Sequence, residues 1–96
     1  MAKRTPRQQS KHDTGVRSTA EYYEQQGYNV SADIPGYDQP RTIDGRRPDV
    51  IARSKKETVI VEVETKDSLQ KDKPQQETFK DYADSHDKVR FWRKTV

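Results

Sequence analysis

Glu62, Glu64 and Lys66 occupy alternate positions of the most apolar run in the chain, TVIVEVETK (58–66). Alternate residues of a strand share a face. Ile60, Glu62, Glu64 and Lys66 therefore line one side, and Val59, Val61 and Val63 line the other, which is the core side. The preceding segment RPDVIAR (47–53) also reads as a strand, joined to the first by a tight polar turn at Ser54–Glu57. If that turn centres between Lys55 and Lys56, Asp49 falls opposite Glu62, with Cβ atoms about 4.5–5.5 Å apart. Opposed carboxylates repel. A hard divalent cation such as Mg²⁺ or Mn²⁺ converts that repulsion into binding, taking one or two carboxylates and completing its shell with water. Lys66 beside it would steady negative charge developing on a phosphate. The ordinary alternative is a solvated strand face paired with lysine and arginine. Asp49 in register, Pro48 before it and the apolar flanks weigh against that.

The elements that must hold these groups follow from periodicity. Residues 1–13 are basic (Lys3, Arg4, Arg7, Lys11), lack apolar periodicity and read as a flexible tail able to touch phosphates. From Thr14 to Gln26, Val16, Ala20 and Tyr23 recur at helical spacing, with Asp13 or Thr14 as cap and Gly27 as stop. YNVSADI (28–34) alternates as a strand, and PGYDQPRTIDG (35–45) is turn chemistry, long enough to suggest a functional loop. Pro74 suits the first turn of a second helix carrying Phe79, Tyr82, Ala83 and His86 on one face. KVRFWRKTV (88–96) reads as a last strand. The expected order is α-β-β-β-α-β: an α/β layer with a mixed four-stranded sheet, a hairpin and a helical crossover, spanning residues 14–96.

On these residues, RRPDVIARSKKETVIVEVETK resembles the core of the PD-(D/E)xK nuclease superfamily, which includes restriction endonucleases and archaeal Holliday junction resolvases. The resemblance implies a metal-dependent DNA endonuclease, commonly a homodimer, with Asp49 and Glu62 as metal ligands. It also implies an acid-x-lysine pair on the second of these strands. Here the position two residues after Glu62 holds Glu64, a possible second ligand, and Lys66 is a displaced lysine. Two residues along a strand is about 6.6 Å, within reach of a lysine stem. A literal acid-x-lysine exists one step on, as Glu64-Thr65-Lys66; it would need the turn to centre near Lys56–Glu57, so that Asp49 faces Glu64. The lysine slot filled by Glu64 keeps a second reading in play: a nuclease fold with a degraded site that binds nucleic acid or a protein.

Family members carry a polar residue on the second helix, for which Gln76 is the candidate beside Gln75. They also often carry a glutamate on the first helix, where Glu21 and Glu24 are candidates. Arg41, Arg46 and Arg47 crowd the loop before Asp49 as phosphate contacts. His12 and His86 read as isolated, on tail and helix surface. Phe91 and Trp92 fall on opposite faces of the last strand.

Composition bounds the rest. Of 96 residues, 28% are hydrophobic and 36% charged, with net charge +3, so the chain fits one domain and its core must be small. The absence of cysteine excludes disulfides and thiolate chemistry. No apolar run reaches membrane-spanning length, so a cytoplasmic chain with no membrane role is expected.

Overall fold

The computed structural model describes residues 6–65 and 73–96. The elements run α1 (Pro6–Gln25), β1 (Asn29–Ala32), β2 (Val50–Arg53), β3 (Thr58–Glu64), α2 (Lys73–Ser85) and β4 (Val89–Thr95). The strands form one sheet in the order β1-β2-β3-β4, antiparallel across the first two pairs and parallel between β3 and β4, with α2 as the crossover. This is the expected α/β architecture.

Each helix covers one face. Val16, Ala20 and Tyr23 of α1 pack on Val50, Ala52, Val59, Val61 and Val63, while Phe79 of α2 packs with Ile43, Ile51 and Ile60. Period-two alternation along β3 thus divides two small cores. The valine face meets α1, and the face carrying Ile60, Glu62 and Glu64 meets α2.

α1 starts eight residues earlier than its apolar stripe predicts. Pro6 suits the first helical turn, where a missing N–H costs nothing, and Gln9 donates to Asp13 one turn on. The segment from residue 6 to residue 13 is therefore helix rather than loose tail. What ties it down is not local: Gly15 lies so close to the sheet that an added Cβ would stand 2.8 Å from side-chain carbons of Val63 and Val96. At the other end Gly27 (φ 87°) closes the helix as expected. Its N–H bonds to the Glu24 carbonyl and that of Tyr28 to the Tyr23 carbonyl, which satisfies the last turn.

The loop before β2 carries its own hairpin. Ile43 and Arg46 exchange backbone bonds of 2.7 and 3.0 Å around Asp44 (φ 50°) and Gly45 (φ 81°). Both central residues are left-handed, the turn that Asp-Gly favours. Ile43 is thereby buried under α2, and Arg46, Arg47 and Pro48 are led into β2.

Candidate active site

The β2–β3 turn fixes the register. Ser54 N–H donates to the Glu57 carbonyl at 2.8 Å, and Ser54 Oγ accepts from the N–H groups of Lys56 and Glu57. Val50 then pairs with Val61, and one further step sets Asp49 opposite Glu62. The turn centres between Lys55 and Lys56, and the alternative with Asp49 facing Glu64 is not the one formed.

Asp49 and Glu62 are interlocked. Asp49 N–H donates to Glu62 Oε1 at 3.0 Å, and Val63 N–H donates to Asp49 Oδ2 at 2.8 Å. The side-chain amide of Gln75 donates to Glu62 Oε2 at 3.1 Å and lies 3.4 Å from the Arg47 carbonyl. Glu62 is 2% exposed and Glu64 0%. Burial, and then the charge of Asp49, push the Glu62 carboxyl up to about 9; Glu64 adds to the effect, while the Asp49 N–H and Gln75 bonds oppose it.

α1 contributes a residue the sequence left on the surface. His12 is buried, with Nε2 3.2 Å from Asp49 Oδ1 and Nδ1 3.2 Å from Asp13 Oδ1. The glutamates considered for this helix are elsewhere: Glu24 accepts from the Tyr37 hydroxyl at 2.5 Å, twelve residues or about 18 Å along the helix. Gln75 and Gln76 of α2 part ways. Gln76 is buried and accepts from the Arg93 guanidinium, whereas Gln75 makes the bond to Glu62. The arginines disperse. Arg47 stands by Gln75, its Nε donating to the Pro40 carbonyl at 3.0 Å. Arg41 donates to the Tyr82 hydroxyl at 2.9 Å, about 10 Å further along α2. Arg46 and Arg7 are exposed. Lys66, Lys3 and Arg4 lie outside the described residues.

Among the described residues, no cluster of three or more histidine, aspartate or glutamate side chains is arranged to cage a metal ion alone. The donor set suits a different kind of site. Mg²⁺ and Mn²⁺ are held by one or two carboxylates and otherwise by water and phosphate oxygens. Asp49 and Glu62 supply those two carboxylates, with excess negative charge around them.

A four-stranded mixed sheet between two helices, with Pro48-Asp49 entering one strand and Glu62 on the next, defines a restriction endonuclease-like protein. The comparison of sequences agrees: residues 4–93 match the AHJR-like family model, REase_AHJR-like, and the chain belongs to that restriction endonuclease-like family. The match begins within the basic segment, in keeping with the early start of α1. No curated protein matches the chain. No helix among the described residues is long and apolar enough to cross a membrane.

Proposed function

We propose that the chain is a DNA endonuclease dependent on Mg²⁺ or Mn²⁺. The observation that carries this is the Asp49–Glu62 pair: two acids interlocked across the hairpin, with burial and the neighbouring charge pushing the Glu62 carboxyl up. Asp49 and Glu62 would hold the cation, with Glu64 behind them. A bound cation supplies an activated water and a polarised scissile phosphate. The chain's own residues set the geometry. Gln75 and the Asp49 N–H orient the Glu62 carboxylate, while His12 and the Val63 N–H orient Asp49. Lys66 is the cation for the attacked phosphate, and Arg46 and Arg47 at the mouth of the site bind flanking phosphates, with Lys3, Arg4 and Arg7 as a further basic contact. A chain this small covers only part of a duplex, which favours action as a homodimer.

Glu64 in the position of the family's lysine favours a second reading, a degraded site that binds DNA or a protein without cutting. Cleavage of duplex, junction and single-stranded DNA with Mg²⁺ or Mn²⁺ separates the two. Asp49→Asn and Glu62→Gln should each reduce cleavage by more than the roughly 10–100-fold that loss of a supporting partner costs, and should remove the rise in melting temperature that Mn²⁺ gives the wild type. A wild type with neither metal-dependent melting nor cleavage of any of these substrates leaves the binding module.

A further inference from the structure

A groove of about 1030 Å³ lies away from the Asp49–Glu62 pair and runs along β4. Tyr22 and Tyr23 of α1 form one wall, Lys80 and Asp84 of α2 the other, and Phe91 and Trp92 the floor. β4 ends the sheet, and among the described residues no strand lies beyond it. Thr58 N–H donates to the Lys88 carbonyl and Val96 N–H to the Glu64 carbonyl. Backbone polar groups alternate sides along a strand, so the even-numbered residues between them turn toward β3. Val89, Phe91, Arg93 and Thr95 then direct their N–H and C=O groups outward, into the groove. The opposite edge is different: β1 is four residues long, and the following loop folds back so that Ala32 N–H donates to the Asp38 carbonyl at 2.9 Å.

We propose that this groove is a strand-addition site, where an extended acidic segment of a partner protein lies between α1 and α2 and pairs with the outer edge of β4. An open edge of seven residues offers donors and acceptors at strand spacing, which a peptide backbone matches on both counts. A DNA backbone offers only acceptors. Charge selects the partner: with Arg90 paired to Glu57, Lys80 and Lys94 line the groove against the single carboxylate of Asp84, and Arg93 projects from the same strand.

A second copy of this chain fits poorly. Directly opposed residues of an antiparallel pair share a face, so a two-fold axis must fall on a residue of β4. An axis on Phe91 sets Lys88 against Lys94, one on Trp92 sets Arg90 against Lys94, and one on Arg93 sets that residue against itself. Like charges directly opposed destabilise a pair. An acidic strand reverses the sign at every one of these positions.

Trp92 reports the event. It is the sole tryptophan, half-buried on the groove floor, with its indole N–H donated to the Tyr23 hydroxyl at 2.9 Å. Its fluorescence would be titrated with a blocked heptapeptide alternating glutamate and valine, with the lysine–valine counterpart, and with oligothymidylate. The glutamate peptide should give a saturable change, at least about tenfold tighter than the lysine peptide and weaker at high salt. Arg93→Pro should abolish the change, because it removes an outward N–H while sparing the β3 ladder; Arg93→Ala keeps that N–H and should retain binding. Lys80→Glu combined with Lys94→Glu should invert the peptide preference, and this tests the groove even if the proline disturbs the strand. Equal or absent binding of the two peptides overturns the proposal. A tighter response to oligothymidylate makes the groove a nucleic-acid surface instead. Concentration-dependent dimerisation that Arg93→Pro abolishes would assign the edge to a second copy.

Discussion

Glu57, the residue just before β3, and Glu62, near the end of β3, lie in surroundings that act on them in opposite directions. Glu57 accepts two bonds from the Arg90 guanidinium, at 2.9 and 3.1 Å, and one from the Tyr28 hydroxyl at 2.5 Å. Those donors, Arg90 first, hold its carboxyl below the usual range, and the bond to Glu57 in turn pushes the Tyr28 hydroxyl up. Among the described residues Glu62 is packed against Asp49 and Glu64 with neutral donors, and burial drives it up to about 9. The fold itself supplies the cation at Glu57. At Glu62 the described residues supply more acid, and a proton or a bound cation would balance it. That difference separates a carboxylate that fastens β4 to β3 from one that marks a site.

The sharpest way to break the comparison is to titrate stability. A group whose native value is raised contributes stability that is complete below its unfolded value, near 4.5, and is lost as pH rises through the native value, about 9. Metal-free protein should therefore weaken from pH 5 to pH 8, by at most about 1.4 kcal/mol for each unit of pH in that window. Glu62→Gln imitates the protonated acid and should flatten the slope, matching wild type near pH 4 and exceeding it by several kcal/mol, on the order of 3, at pH 8. Mn²⁺ should flatten the wild-type slope in the same way, since the cation takes the place of the proton. Urea denaturation across pH checks both. A wild-type slope unchanged in Glu62→Gln would mean that Glu62 is already compensated, like Glu57.

How far this site could be read in the sequence depends on the range of each interaction. The faces of β3 and the opposition of Asp49 and Glu62 were legible, because alternation and a short polar turn are local. The order of the strands was legible too, since a hairpin and a helical crossover allow few arrangements. The start of α1 was not. Pro6 to Asp13 carries no apolar stripe, and its anchors are the contact of His12 with Asp49, far along the chain, and the approach of Gly15 to Val63 and Val96. A glycine one turn after a histidine in a polar segment was the one available signal of close packing. Gln75 and Gln76 adjoin on the helix, about 100° apart around its axis, and only the docking of α2 decides which reaches Glu62.

His12 extends the comparison to the second helix-borne partner of the site. If its role is to hold Asp49, His12→Ala should cost roughly 1–3 kcal/mol, because a buried contact and its packing are both lost. It should also reduce the rise in melting temperature on adding Mn²⁺, since Asp49 is left free to turn away. An exposed tail histidine would change stability by no more than about 0.5 kcal/mol and would leave the Mn²⁺ response alone. Melting curves with and without Mn²⁺ give both quantities from one sample.

The smallest effect belongs to Glu57, and its size is what sharpens the contrast. Arg90 is more than half exposed (57%) and Glu57 is 23% exposed, so water and salt screen the pair. Exposed pairs of this kind contribute about 0.2–1 kcal/mol. Arg90→Ala should lower stability by that amount in dilute buffer and by less at 1 M salt, where the screening length falls to about 3 Å. The sign with pH is the reverse of that at Glu62. A lowered native value contributes stability that is present above the unfolded value, near 4.5, and is lost as pH falls through the native value. Wild type and Arg90→Ala should therefore differ at pH 7 and converge below pH 4, whereas wild type and Glu62→Gln agree in acid and diverge as pH rises. A pair of difference curves with the same sign of slope would show that the two ends of β3 are not electrostatic opposites. In that case the raised Glu62 would no longer distinguish a binding site from a structural carboxylate.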